Sequence, residues 1–137
     1  MISIDNKLFE EVDKPVDSKI LSEDKEKGIV ERESSWTGTI TGFNPFPSGS
    51  AKGQGISRIY KNRVSISNWH GIFTIITGRQ EISFIGKDVR KNGKFYVLRT
   101  FFTDADELAW MNGLVCILDG KHDLQSNSFV RSGYKLF

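Results

Sequence analysis

Residues 81–103 read EISFIGKDVRKNGKFYVLRTFFT, and this stretch decides the fold class of the chain. Two runs rich in β-branched and aromatic residues flank the dipeptide Asn92-Gly93, which is the preferred centre of a type I′ turn because both central residues need positive φ. The stretch therefore predicts an antiparallel β-hairpin.

Similar runs continue on both sides of this hairpin. Residues 36–43 alternate strictly, with Trp36 and Ile40 on one face and threonines on the other, and residues 64–77 form another long β-run. A meander of about eight such strands joined by short turns closes most naturally into a barrel without exposed edges. We predict an all-β fold, a single antiparallel up-and-down β-barrel of about eight strands, with a two-sheet β-sandwich as the alternative.

The irregular parts of the chain are predicted as follows. Residues 1–15 form a short lead-in to a single domain spanning residues 1–137, and Pro15 ends any helix begun at Asn6 by about Val12. Residues 44–53 form the longest loop, a possible lid over the barrel mouth. Residues 104–107 form one helical turn capped by Asp104, before strands at 108–112 and 114–118.

Charge and cysteine content narrow the class of protein. Residues 1–33 carry 6 Lys and Arg against 10 Asp and Glu, net −4, whereas residues 34–137 carry 13 against 7, net +6. The cations are scattered over turns, which argues against nucleic-acid binding. Cys116 is the single cysteine and is predicted to be an inert buried thiol. Without a signal-peptide pattern or an apolar run near ~20 residues, the sequence predicts a soluble cytoplasmic protein with no membrane partner.

Four short stretches carry a family resemblance: WTGTITG at 36–42, NWHG at 68–71, ISFIG at 82–86 and LAWMNGLV at 108–115. With them, the chain resembles an uncharacterised family of small, single-domain prokaryotic proteins, which implies a compact all-β domain and no particular activity. The predicted architecture is also similar to calycin-type barrels such as the lipocalins. In lipocalins a Gly-X-Trp motif packs its Trp on an Arg of the last strand, and Trp36 and Arg131 would take those parts, although Ser34 replaces the Gly.

Catalytic candidates are few, because nucleotide-binding, zinc, nucleophile-elbow and EF-hand motifs are absent from the sequence. His70 lies within a predicted strand, where a neutral imidazole could transfer a proton or ligate haem iron. Glu81 opens another strand and would lie near a barrel mouth. No metal site and no specific cofactor is predicted.

Binding candidates follow from strand alternation. Asn68 and His70 share a face with Ile66 and Ile72, which predicts that they project into the barrel. Arg99 shares a face with three apolar residues; if that face is inside, Arg99 needs an anionic partner or ligand, and the outward orientation stays open. The predicted ligand contacts are Arg58, Tyr60, Asn68, Trp69, Arg99, Trp110 and Asn112.

These observations lead to three functional hypotheses. The first is a binding module that takes a small hydrophobic or amphipathic ligand inside the barrel. The second is a cofactor-independent enzyme of the cyclase or isomerase type, with His70 or Glu81 as proton carrier in the same cavity. The third is a solid barrel that acts through a homo-oligomer or partner surface.

Overall fold

The computed structural model describes residues 6–136 and shows a closed barrel of eight antiparallel strands, each hydrogen-bonded to its neighbours in chain order. The predicted fold class is confirmed. A short 3₁₀ helix, Asp106–Met111, precedes the seventh strand. The strands are β1 (Lys7–Asp24), β2 (Ile29–Gly42), β3 (Gly49–Ile59), β4 (Ser65–Ile75), β5 (Glu81–Lys91), β6 (Lys94–Phe102), β7 (Val115–Asp123) and β8 (Ser128–Lys135).

The β5–β6 hairpin has the turn that its sequence predicts. Asn92 and Gly93 adopt φ values of 54° and 76°, and Lys91 pairs with Lys94 across the turn. Positive φ at both positions is the requirement of a type I′ turn, whose twist matches that of the flanking strands. The Asn92-Gly93 turn therefore sets the register of the whole β5–β6 pair.

The barrel has two different ends. We call the closed end the one that carries the β2–β3, β4–β5 and β6–β7 connections, and the open end the one that carries the four remaining hairpin turns. Along β5 the inward side chains change from Ile82 and Phe84 near the closed end to Asp88 and Arg90 near the open end. The interior thus passes from apolar to polar along the barrel axis.

Aromatic rings fill the closed end. The β2–β3 loop folds Phe46 into the barrel, where its ring centroid lies 4.7 Å from that of Phe9 and 5.8 Å from that of Phe101. Phe73 stacks nearly parallel to Phe46 at 5.9 Å, and Trp110 meets it edge-on at 6.2 Å. Burying this many aromatic side chains gives the barrel its main apolar core.

The N-terminal prediction was wrong where the structure describes it. Residues 7–15 form neither the predicted lead-in nor a helix but belong to β1, while residues 1–5 lie outside the described range. Phe9, Glu11 and Asp13 alternate inward, so the period-two pattern is present. Because two of these core positions carry carboxylates, a search for alternating hydrophobic residues does not detect the strand.

Two further connections differ from the prediction. Residues 108–112 were expected to form a strand, but most of them belong to the 3₁₀ helix, whose N-cap is Ala105 rather than Asp104. The loop after β2 ends sooner than expected, because β3 already begins at Gly49. This loop is therefore no lid over the open end, because its Phe46 ring closes the opposite end of the barrel.

The outer half of β1 projects beyond the barrel wall. β1 pairs with β2 as far as Asp24, but with β8 only over residues 7–13. Residues 14–24 thus form the edge of a two-stranded extension that we call the arm. Register shifts interrupt the arm next to Pro15 and again between Ile20 and Ser22.

Candidate ligand-binding site

The open end contains a cavity of about 230 Å³, bounded by inward side chains of five strands and by the base of the arm. A larger depression, of about 680 Å³, lies on the outer surface and includes the side chains of Lys52, Gln54 and His70. We place the candidate site in the inner cavity because its walls bury charged and polar groups. The residues that shape it are Ser34, Trp36, Ser57, Ser65, Ser67, Trp69, Asp88, Arg90, Phe129 and Arg131.

Two glycines of β3 position the tryptophan walls. A Cβ added at Gly53 would lie 2.6 Å from ring atoms of Trp36, and one added at Gly55 would lie 2.6 Å from the ring of Trp69. Such distances are far inside van der Waals contact, so only glycine lets each indole lie directly on the β3 backbone. Glycine at both positions therefore allows the two tryptophans to take the places in which they line the cavity.

Asp88 places a carboxyl group in the cavity wall. It is 4% exposed, and its Oδ1 has no hydrogen-bond partner among the described residues. Burial raises the pKa of Asp88, while Ser67 and Arg131 act in the opposite direction. The hydrogen-bond donors of Ser67 and Trp69 lie close enough to this carboxyl group to lower its pKa, although burial outweighs them.

Arg90 lies two residues closer to the open end on the same face of β5. Its guanidinium carbon lies 5.4 Å from the ring centroid of Phe95 and 5.0 Å from that of Phe129, and no carboxylate of the described residues pairs with it. Burial lowers the pKa of Arg90, and the negative charge of Asp88 partly offsets this. Aromatic rings therefore hold the guanidinium in place without neutralising it.

A buried network of two acids and two arginines lies below the cavity. Arg99 Nη1 and Nη2 donate to Glu11 Oε1 and Oε2 at 2.6 Å and 3.1 Å, and Arg131 Nε lies 3.0 Å from Asp13 Oδ2. The Arg131 guanidinium carbon also lies 5.5 Å from the Trp36 ring centroid, so the Trp–Arg contact suggested by the lipocalin resemblance is present. This network separates the aromatic core from the cavity.

The two acids of this network have opposite pKa shifts. Burial opposes ionisation of Glu11, but the charge and hydrogen bonds of Arg99 outweigh it and lower the pKa of Glu11 to about 2. Burial and then the neighbouring Glu11 raise the pKa of Asp13 to about 9, against the attraction of Arg131. The Asp13 carboxyl lies where the Cβ of any residue other than glycine would stand at position 38. The network therefore holds one ionised and one protonated acid near neutral pH.

Two predicted inward residues on β4 face outward instead. Asn68 and His70 are exposed, and His70 Nε2 lies 3.0 Å from Gln54 Nε2 on the outer surface. The inward face of β4 is the odd-numbered one, which carries Trp69 and Phe73. The expected orientation of Asn68 and His70 was wrong by one residue, and a one-residue shift exchanges the two faces of a strand. The register of β4 with β3 and β5 is continuous, so no bulge at Gly71 changes the phase of the strand.

The other predicted residues are distributed over the whole barrel. Trp69 lines the cavity, and Arg99 lies inside below it with Glu11 as its partner, so its outward alternative was wrong. Arg58 is on the outer surface, where it pairs with Glu31 at 3.6 Å and stacks on Tyr60 at 5.6 Å. The remaining three are near the closed end: Glu81, Trp110 and Asn112.

Sequence reasoning missed the serines of β4 and the charged pair of β5. Ser65 and Ser67 alternate with Ile66, so hydrophobicity alone assigns Ile66 to the interior. Following the odd positions further along β4 leads to Phe73 and Ile75, both buried. The buried residues Phe73 and Ile75 could have identified the odd positions as the inward face, because alternate residues of an unbroken strand face the same side along its entire length.

Within residues 6–136, no group of three or more His, Cys, Asp and Glu side chains could hold a metal ion. No helix in the same range is long and apolar enough to cross a membrane.

The single cysteine fits its predicted role as a buried thiol. Burial raises the pKa of the Cys116 thiol to about 12, as expected for an unreactive cysteine.

Comparisons with known proteins give the fold and no activity. No family model and no curated protein matches the chain. A protein with unknown function from Clostridium acetobutylicum ATCC 824 is 12% identical, with a TM-score of 0.74 over 96% of this chain and 97% of that one. A beta-barrel like protein from Acinetobacter baumannii AYE is 15% identical, with a TM-score of 0.75 over 95% and 93%. An enzyme from Penicillium herquei is 16% identical, with a TM-score of 0.69 over 94% and 91%.

Proposed function

We propose that this protein binds one small amphipathic molecule in the cavity at the open end of its barrel. The observation that carries the proposal is a cavity whose walls combine aromatic rings with buried polar and charged side chains. Trp36, Trp69 and Phe129 supply the rings, and the polar residues Ser67, Asp88 and Arg131 are no more than 5% exposed. Apolar walls with a few placed polar groups are typical of sites for small ligands.

The cavity volume limits the size of the ligand. About 230 Å³ is below the roughly 300–1,000 Å³ typical of sites for drug-sized molecules. The tryptophans and Phe129 offer apolar surface, whereas the serines, Asp88 and the arginines offer polar contacts. A ligand of about one ring with polar substituents fits these walls.

Native mass spectrometry of the protein as purified from cells tests the proposal. We expect a bound small molecule at one copy per chain, which denaturation releases for identification. Ser57→Phe places a ring in the cavity and should abolish the adduct. Ser50→Phe is the matched control, because Ser50 lies on the outer face of the same strand. A bare mass for the wild-type protein, or an adduct that survives Ser57→Phe, would contradict the proposal.

A second candidate function is catalysis in the same cavity without a cofactor. Asp88 supports it, because a buried carboxyl group with a raised pKa is suited to hold and return a proton. One solved structure with this fold, from Penicillium herquei, is described as an enzyme. Asp88→Asn should then leave binding of the identified ligand measurable but stop its conversion, followed by mass spectrometry of the small molecule over time. His70 and Glu81 lie outside this cavity and take no part in that scheme.

A further inference from the structure

We infer that a second copy of this chain packs on the outer face of β5 and β6, related to the first by a two-fold axis at right angles to these strands. The axis lies level with Gly86 and Arg99, which are opposite each other in the sheet. In such an isologous dimer, a residue on one side of the axis meets, in the second copy, the residue at the same distance on the other side. The inference goes beyond the cavity and concerns a different surface of the barrel.

The outer face of β5 and β6 carries several large apolar side chains. Their exposed fractions lie between 42% and 54%, and we call them the apolar face: Ile85, Val89, Tyr96, Leu98 and Phe102. By contrast, the outer faces of β2 and β3 carry mainly polar groups, such as Thr37, Thr39, Lys52 and Gln54. An apolar patch confined to one side of a protein is typical of an interaction surface.

Charges of opposite sign lie at the two ends of the apolar face. Lys91 and Lys94 are exposed near the open end of the barrel, and Glu81 and Asp104 are exposed near the closed end. None of these four groups has a salt-bridge partner among the described residues. The surface therefore has a basic end, an apolar middle and an acidic end.

The basic end costs the single chain stability. Lys94 lies directly between Lys91 on β5 and Lys121 on β7, so three lysines are side by side in register across the sheet. Like charges directly opposite each other in a sheet are destabilising. A carboxylate from outside the chain would offset this repulsion, and the acidic end of a second copy supplies one.

The positions along β6 match under the two-fold axis. Lys94 is five residues before Arg99 and Asp104 is five residues after it, so the axis places Lys94 opposite Asp104 of the second copy. Tyr96 and Phe102 are each three residues from Arg99, so these two rings also meet. Both contacts occur twice in the dimer, once on each side of the axis.

The positions along β5 give the same result. Lys91 and Glu81 are each five residues from Gly86, so Lys91 lies opposite Glu81 of the second copy. A two-fold axis parallel to β6 would instead place Lys94 on Lys94, and like charges facing each other across an interface repel. Charge complementarity therefore selects the antiparallel arrangement.

Shape and area also suit this arrangement. Glu81, Phe102 and Asp104 border a surface depression of about 530 Å³, and the axis places the half-exposed Tyr96 of the second copy over it. The exposed parts of the five apolar side chains amount to roughly 500 Å² on each copy, or about 1,000 Å² in total, which is the lower limit for a specific interface. The charged ends add to this area. The arm stays uncovered, because β5 lies across the closed eight-stranded barrel from β1.

Sedimentation velocity at chain concentrations up to about 100 μM tests the inference, since this range detects micromolar dissociation constants. We expect the wild-type chain to form dimers there. Lys94→Glu should weaken the dimer at least about tenfold, because two attractive contacts become repulsive. Circular dichroism should show an unchanged fold, because the change also removes the repulsion from Lys91 and Lys121. Lys52→Glu is the matched control, with the same change of charge on the outer face of β3.

Mixing two variants tests the pairing itself. Asp104→Lys alone should also weaken the dimer, whereas an equal mixture of Asp104→Lys and Lys94→Glu should form dimers again. In the mixed dimer, the new acid faces the new lysine, and the unchanged Lys94 faces the unchanged Asp104. A wild-type chain that stays monomeric, a dimer that Lys94→Glu leaves unchanged, or a mixture that stays monomeric would each overturn the inference.

Discussion

The closed and open ends of the barrel are built from the same eight strands but from different chemistry. At the closed end, Phe9, Phe46, Phe73 and Phe101 pack on one another with almost no exposed surface. At the open end, the same strands present serines, Asp88 and Arg90 around a cavity. The comparison indicates that the closed end supplies stability, and in the proposed function the open end supplies recognition. Each prediction below tests this division.

The largest effect is expected at the closed end. Phe46→Ala empties the centre of the ring cluster and should lower the free energy of unfolding by about 3–5 kcal/mol. Chemical denaturation followed by circular dichroism measures this loss. Phe102→Ala is the control, because Phe102 is 42% exposed on the outer face, and it should cost far less. Equal losses would mean that Phe46 is no core residue.

The acid network should give stability an unusual pH dependence. The folded-state pKa of Asp13, about 9, lies above the ordinary value of 3.8, so the folded chain holds this proton more tightly than the unfolded one. Its contribution is therefore complete below about pH 4 and is lost as pH rises toward 9. Asp13→Asn removes this titration.

The expected result is a difference in slope between the two proteins. From pH 5 to 8, the free energy of unfolding of the wild type should fall relative to Asp13→Asn by on the order of 1 kcal/mol per pH unit. Glu11, with its lowered pKa, acts only below about pH 4.5 and does not interfere. Denaturation curves at pH 5 and 8 measure the slopes, and parallel slopes would show that Asp13 is already ionised.

A moderate effect is expected where a glycine supports the cavity wall. Gly53→Ala forces the Trp36 ring away from β3 and should cost about 1–3 kcal/mol of unfolding free energy, with reduced ligand binding. Gly86→Ala is the matched control. Its added Cβ would meet the tip of the Val97 side chain at 3.3 Å, a contact that can relax. Denaturation of both variants should rank Gly53 above Gly86, and the reverse order would contradict the role of Gly53.

The smallest expected effect is a gain, rather than a loss, in the free energy of unfolding. Burial raises the pKa of Asp88, so its ionised form costs the folded protein free energy. Asp88→Asn should therefore raise the unfolding free energy by about 0.5–1 kcal/mol near neutral pH while weakening ligand binding. Thermal denaturation and calorimetry on the same samples measure the two quantities. A loss of stability in this variant would mean that Asp88 supports the fold rather than a ligand.

The fold could be predicted from the sequence because its signals are local. Asn92-Gly93 sets a hairpin by itself, and alternating residues such as those of β2 show the strand period directly. A chain of such hairpins leaves few architectures other than a barrel. The comparisons confirm this level of description, whereas the resemblance to calycin-type barrels stays a prediction.

The site could be predicted only in part because its interior is polar. The rule that apolar residues face inward holds for Phe73 but reverses for the neighbouring Ser67 and Ile66 on the same strand. Glu11 and Asp13 mislead in the same way on β1, where their partners Arg99 and Arg131 are about a hundred residues away in the sequence. Long-range ion pairs of this kind leave no local pattern.

The arm has a consequence for the behaviour of the protein at high concentration. Its residues 14–24 pair with β2 on one side and have no β8 partner on the other, so they offer backbone donors and acceptors to any extended chain. Pro15, the two register shifts and the charges of Lys14 and Lys19 all obstruct such an addition. Colloidal solubility therefore depends on a few side chains that contribute to neither the aromatic core nor the cavity.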